Sequence, residues 1–229
     1  MPGVLGIDTA GPVVGAAVVS GLTMRSWSDR MPRKADGVLM GAIGDLLAWA
    51  DDPDNGVGGV DLVAVSVGPG AFTGLRVGVS MALGIAFARG LLVSPVCSLM
   101  ARAAMTDGER VLAVLDARKS RVYSGLYRVE DGVPEALSDP QDAAITHVMP
   151  VAPFVAVGEG AVIYGSQIEA GGGTVLSGAQ RCPAVEVARL GRAFSKEARV
   201  PSEVALQYLR APDARVPNKL GVALGVQER

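Results

Sequence analysis

Val4-Leu5-Gly6-Ile7-Asp8 is an apolar run that ends in a carboxylate, and it returns as Val111-Leu112-Ala113-Val114-Leu115-Asp116. Each run reads as a buried strand followed by a polar turn and a second strand. After the first copy come β-rich runs at 13–20 and 22–28, joined by Gly11-Pro12 and Ser20-Gly21, short links of the kind hairpins use. Helical spacing then governs 36–49, where Leu39, Ile43, Leu46, Leu47 and Ala50 recur on one side. Asp51-Asp52-Pro53-Asp54-Asn55-Gly56 stops that helix. A continuous apolar strand is expected at 62–67, a helix at 73–89 and another buried strand at 91–96.

The first hundred residues therefore read β-β-β-α-β-α-β, a mixture of antiparallel hairpins and right-handed parallel crossovers. The second copy continues with a strand at 122–129, then strands at 154–157 and 161–164 and a helix at 184–198. Gly171-Gly172-Gly173 is expected to be a flexible turn, and the chain from Val216 onward a fraying tail. The repeat divides the chain into lobes at 1–100 and 101–215, followed by a flexible tail at 216–229.

Composition narrows the function. Among 229 residues 49% are hydrophobic and only 19% charged, with a formal charge of -2 and 30 glycines. So apolar a chain folds, and it either buries its surface unusually well or has it covered by another subunit. One histidine, His147, and two cysteines, Cys97 and Cys182, are too few for a zinc finger or a histidine-rich metal site. A Ser-His-Asp hydrolase would have to use His147, which lies in the featureless stretch Ala-Ile-Thr-His-Val-Met. The two cysteines read as reduced structural thiols. The start lacks the pattern of a secretory signal, and the apolar run at 77–88, between Arg76 and Arg89, falls short of the ~20 residues that span a bilayer. A cytoplasmic location without membrane attachment is the expectation.

Ser66-Val67-Gly68-Pro69-Gly70-Ala71-Phe72-Thr73-Gly74-Leu75-Arg76 is the most distinctive local feature. A glycine-rich strand-to-helix turn can bring backbone N–H groups to an anion or a partner; it can equally be a tight turn with Thr73 as helix cap. It lacks both a Walker lysine and a G-x-G-x-x-G. In the helix that follows, Gly74, Gly78, Ala82, Ala86 and Gly90 form a stripe of small residues. Leu75, Val79, Leu83 and Phe87 form an apolar stripe beside it. A helix apolar nearly all round is buried on more than one side. One side should face the sheet and the other a second helix, from this chain or from a partner. Asp8 and Asp116 occupy equivalent strand ends, where paired carboxylates can flank a nucleotide and its metal. Asp8, Thr9 and Asp116 are thus the candidate cofactor contacts, although the turn after Asp116, with Arg118, Lys119 and Arg121, lacks a glycine-rich phosphate loop. That basic cluster could meet an acidic partner or RNA phosphate, or simply be solvated.

The chain resembles the TsaB (YeaZ) family, the partner subunits in bacterial biosynthesis of threonylcarbamoyladenosine in tRNA. The matching segments are Leu5-Gly6-Ile7-Asp8-Thr9, the block from Val67 to Gly78, Val114-Leu115-Asp116-Ala117-Arg118 with Val122-Tyr123, and Gln207-Tyr208-Leu209-Arg210-Ala211-Pro212. The G-P-G-x-F-T-G-L-R block carries most of the specificity.

The resemblance implies an α/β fold of the two-lobed actin/Hsp70/sugar-kinase (ASKHA) kind, with a duplicated β-β-β-α-β-α core and mixed sheets. It also implies a non-catalytic scaffold or activator that pairs with a catalytic TsaD-type subunit, joined by a TsaE-type ATPase. TsaD transfers the threonylcarbamoyl group to the adenosine beside the anticodon. This chain alone would bind no cofactor, ATP and metal being used by partner subunits. It would form a homodimer when alone and meet tRNA through the complex.

The family's interface uses the helices at 36–49 and 73–89. The expected contacts are Leu39, Ile43, Leu46, Thr73, Leu75, Arg76, Gly78, Val79, Ala82, Leu83 and Ala86. Where many members carry His-Ser-Glu, this chain has Ala35-Asp36-Gly37 after Arg33-Lys34, which implies that the segment is not catalytic here. Two other classes, a glycoprotease-like peptidase and an ATP-dependent small-molecule kinase, would need a nucleophile–base pair or a working nucleotide site.

Overall fold

The computed structural model describes residues 2–30 and 35–210. The expected tail, Arg33-Lys34 and Ala211-Pro212 lie outside the described residues. The first sheet contains β1 (Gly3–Asp8), β2 (Val13–Ser20) and β3 (Thr23–Arg30), then, after α1 (Ala35–Asp51), β4 (Val60–Gly68). Helix α2 (Phe72–Arg89) crosses over to β5 (Leu92–Cys97), and α3 (Ser98–Ala103) leads out of the sheet. The spatial order is β3-β2-β1-β4-β5, with the first three strands antiparallel and β1, β4 and β5 parallel.

The second sheet repeats this plan. Its strands are β6 (Gly108–Asp116), β7 (Val122–Glu130) and β8 (Val133–Ala136), with β9 (Gln141–Ala143) pairing the start of β7. Helix α4 (Ile145–Val148) precedes β10 (Phe154–Val157). Helices α5 (Glu159–Ile163) and α6 (Gly165–Ala170) cross over to β11 (Gly173–Val175). The order β8-β7-β6-β10-β11 mirrors the first sheet strand for strand, including the antiparallel and parallel pairs.

Covering both faces makes the parallel strands continuously apolar. On one face of the first sheet Leu5, Ile7, Val63 and Val65 pack with Leu39, Ile43 and Leu46 of α1 and Val79, Ala82 and Ala86 of α2. On the other face Val4, Leu62, Ala64 and Val96 meet α7 (Ala184–Ala193), together with Ala101 of α3. Burying one such Leu or Ile is worth about 1.5–3 kcal/mol.

Three expectations need correction. Helix α7 lies in the second half of the sequence but packs on β1, β2 and β4, so the division at 100/101 does not hold for 184–210. Farther on, Arg199 pairs with Val93 of edge strand β5, and the Gln207 N–H donates to Val67 O at 2.8 Å. The expected strand at 161–164 is helix α5, because Ala161 turns inward to pack with Leu112 and Ala156. The expected long helix at 184–198 ends at Ala193 and gives way to a short 3-10 turn at Ser195–Glu197.

Candidate functional site

The two lobes meet where β1 ends. Asp8 is fully buried, and both its oxygens are taken by Arg102 of α3: Nη1 donates to Oδ1 at 3.3 Å and Nη2 to Oδ2 at 3.2 Å. Arg102 also donates to Ser98 O at 3.0 Å and faces Glu159 of α5, Nε to Oε2 at 3.5 Å. A single guanidinium therefore clasps one carboxylate from the first sheet and one from the second lobe. Burial opposes its charge, but Asp8 and Glu159 outweigh that and hold its pKa above the ordinary arginine value. Burial pushes the Glu159 carboxyl up, with Arg102 partly offsetting it. Burial, with the Asp8 charge beside it, likewise pushes the Cys182 thiol well up, and its Sγ lies 3.9 Å from Asp8 O.

Of the candidate cofactor contacts, Asp8 is closed off by Arg102, and Thr9 is turned inward. The Thr9 hydroxyl donates to Gly74 O at 2.7 Å and anchors the first turn of α2. Asp116 is half-buried and accepts the Arg118 N–H at 3.0 Å, shaping its own turn. These residues do not fit a nucleotide–metal complex. The buried carboxylate that would face it is already neutralised, and the threonine is spent on helix packing.

The glycine-rich turn serves packing. Gly68 has a φ of +126°, and a Cβ there would strike Gln207 O. Gly158 stands at the equivalent end of β10 with a φ of +96°, so the duplication extends to this backbone feature. The Ala71 N–H donates to Ala10 O at 2.8 Å, drawing the start of α2 over the end of β1. Thr73 is not the cap: Ala71 holds that position and makes no side-chain capping bond.

Most of the residues expected at a partner interface lie inside the chain itself. Leu39, Ile43, Leu46, Leu75, Gly78, Val79, Ala82 and Ala86 are all buried inside the chain's own first lobe. A Cβ on Gly78 would overlap the Thr9 hydroxyl, so the small-residue stripe seats α2 on β1. Thr73 and Arg76 are exposed and Leu83 is half-buried. The remaining outward positions belong to residues not proposed as contacts, Phe87 alone among them being named above, as part of an apolar stripe. On α1 these are Val38, Met40, Gly41 and Gly44; on α2 they are Ser80, Gly84 and Phe87, the last 81% exposed. By composition α2 is long and apolar enough to cross a membrane, but Leu75, Val79, Ala82 and Ala86 pack it into the sheet layer.

His147 is exposed on α4. Among the described residues no group of three His, Cys, Asp or Glu could hold a metal. Both cysteines are free; Cys97 lies 4.0 Å from the buried Tyr127 hydroxyl. Two groups at the lobe junction escaped sequence reasoning, Arg102 and Glu159. The first sits on a six-residue helix that no periodicity marked, and the second opens helix α5, two residues before the stretch expected as a strand.

Comparison with known proteins gives a consistent picture. The sequence model of the TsaD family, tRNA N6-adenosine threonylcarbamoyltransferase, matches residues 38–153, just over half of the chain. An uncharacterised protein of Mycobacterium leprae is 33% identical over 216 residues, covering 93% of this chain and 56% of its own length. The chain spans under three-fifths of the length of the first curated relatives it matches. The tRNA threonylcarbamoyladenosine biosynthesis protein TsaB of Bacillus subtilis is 29% identical over 224 residues, covering 92% of this chain and 95% of that protein. The structure of YeaZ from Pseudomonas aeruginosa superposes with a TM-score of 0.75 at 24% identity, over 91% of this chain and all of that one. Two mirrored mixed sheets, the in-order motifs and the family match together place the fold in the actin/Hsp70/sugar-kinase class, and the chain belongs to the TsaD family as one of its TsaB/YeaZ members.

Proposed function

We propose that this chain is a non-catalytic scaffold or activator subunit. It would pair with a TsaD-type catalytic protein in transferring the threonylcarbamoyl group to the adenosine beside the tRNA anticodon. The observation that carries this reading is the outward face of α1 and α2. Val38, Met40 and Phe87 stand exposed, and beside them a Cβ on Gly41, Gly44 or Gly84 would meet no atom within 4 Å. Glycine costs a helix about 1 kcal/mol relative to alanine, so three exposed helical glycines bring nothing to this chain alone. They let another backbone come close, and large apolar residues at their margin supply area to bury.

The clasp on Asp8 supports the non-catalytic half of the proposal and weighs against the kinase reading, since the strand-end carboxylate is already neutralised. ATP and metal would then be used by partner subunits, with a TsaE-type ATPase joining the complex in the cytoplasm. The same helix faces would support a homodimer when the partner is missing.

The test is light scattering on a sizing column, with this chain alone and mixed with the TsaD-type protein of the same organism. A heterodimer should replace the lone species. Failure to associate, with and without nucleotide, would remove the scaffold reading.

A further inference from the structure

Three segments far apart in sequence converge on one surface that spans both lobes. From α2 come Phe72 and Arg76, with the Arg76 guanidinium 3.8 Å over the Phe72 ring. From the end of the described chain comes Tyr208. Its ring lies 5.3 Å from that of Phe72, and its hydroxyl accepts from Arg76 Nε at 3.3 Å. Two residues on, Arg210 donates to Ala117 O at 3.4 Å and pairs with Asp142 at 3.5 Å, which brings it onto the β6–β7 turn. That turn carries Arg118 and Lys119 at its exposed tip.

We propose that this strip is a contact surface for the phosphate backbone of RNA. The proposal rests on the reading that the chain works in tRNA modification. It adds a surface of this chain, separate from the outward face of α1 and α2, that would touch the nucleic acid itself.

Charge is segregated here. Arg76, Arg118, Lys119, Arg121 and Arg210 gather in a protein whose formal charge is -2. Two carboxylates lie among them: Asp142, paired with Arg121 at 2.6 Å and with Arg210, and Asp116, which accepts the Arg118 N–H, so the five cations outnumber them by three. The turn is built to project. Arg118, Lys119 and Ser120 all adopt left-handed backbone, with φ of 60°, 53° and 56°. A turn that only had to reverse the chain would place glycine or asparagine in such positions. Here cationic side chains occupy two of them.

The exposed rings choose between nucleic acid and an acidic protein. Phe72 and Tyr208 are about two-fifths exposed in the midst of the arginines. Cations for phosphates interleaved with aromatic faces for unpaired bases is the combination that single-stranded RNA rewards. A helix of acidic side chains would have no use for the rings.

The experiment is fluorescence anisotropy of a labelled tRNA transcript. It would be titrated with the full chain, and with the chain paired to its TsaD-type protein, between about 50 and 200 mM salt. A net of roughly three phosphate contacts predicts an affinity loss of about 40-fold across that range. Arg118→Glu with Lys119→Glu should weaken binding at least ~10-fold at low salt and lower the salt slope by about 2. Tyr208→Ala should weaken binding and leave the slope unchanged.

Arg128→Glu is the control, because Arg128 lies about 20 Å along β7 from the turn by strand rise. It should change neither quantity. Arg118→Gln, on the exposed turn, reads the same charge loss without a reversal. Equal affinity and slope for parent and turn variants in both preparations would overturn the proposal. So would competition by a polyglutamate peptide as effective as that by unlabelled tRNA, which would assign the strip to an acidic protein. Pairing with the TsaD-type protein is read separately on the sizing column, so loss of this surface and loss of the scaffold role are distinguishable.

Discussion

Arg102 stands between Asp8 and Glu159 with its side chain 3% exposed, so three buried ionisable groups share one positive charge and two negative ones. Burial, with a smaller push from the Asp8 charge and only partly offset by Arg102, makes the Glu159 carboxyl hold its proton to higher pH than it would in the unfolded chain. Stability then depends on pH with a definite sign. Between the unfolded value of about 4.5 and the raised native value, the native state binds more protons than the unfolded state. The contribution of Glu159 is fully present below about 4.5 and is lost as pH rises through its native value. Glu159→Gln removes this fall. Urea unfolding at intervals from pH 4 to 7 should show the parent losing stability relative to the variant as pH rises. Parallel curves would mean that the attraction of Arg102 cancels the desolvation of Glu159. The sequence made Asp8 visible as the end of an apolar strand. Its partner, 94 residues away on a short helix, was not visible, because nothing local signals which arginine will be buried.

At the scale of elements, α2 shows what hydrophobic pattern can and cannot decide. Its apolar character on nearly every side led to the expectation of burial on more than one side, whereas within this chain its buried residues share one side, for which two stripes competed. The structure places both Gly74/Gly78 and Leu75/Val79 inward, because the Gly68-Pro69-Gly70 turn lays the helix close on Thr9. The succession of elements along the chain and its duplication were legible, since a strand buried on both faces leaves an unbroken apolar run; the order of strands across each sheet came only with the structure. The run Val162-Ile163-Tyr164 misled because a short β-branched stretch fits either a strand or a buried helical turn. The two glycines of α2 therefore separate packing from partner contact. Gly78→Leu should destabilise the chain by about 1–3 kcal/mol, as its Cβ would overlap the Thr9 hydroxyl. Gly84→Leu should leave the melting temperature unchanged or raise it, since nothing lies within 4 Å and leucine is the better helix former. Only Gly84→Leu should weaken association with the TsaD-type protein, by ~10-fold or more, while the fold stays intact. Melting curves and sizing-column light scattering on both variants check this. A Gly84→Leu protein that still pairs normally would place the interface elsewhere.

At the scale of the whole molecule, the lobes are stitched by more than adjacency. Helix α7 leaves the second half of the chain to cover β1 and β4, and the segment that follows pairs with β5 and β4. Arg210 then returns to the β6–β7 turn, while Arg102 joins Asp8 to Glu159. Such a molecule should unfold as one unit. The chain supplies its own probe of this, because its two tryptophans, Trp27 on β3 and Trp49 on α1, both report the first lobe alone. Far-ultraviolet circular dichroism reports both lobes. In urea the fluorescence and dichroism midpoints of the parent should coincide. Arg102→Met leaves Asp8 buried without its counter-charge, which costs about 3–5 kcal/mol, and cuts the ionic link to Glu159. The variant's midpoints should fall and separate, the fluorescence transition moving further because the uncompensated carboxylate belongs to the first lobe. Midpoints that fall together would show that α7 and the 199–210 segment hold the lobes as a unit without Arg102. Midpoints that already differ in the parent would show that the two sheets fold independently despite every link between them.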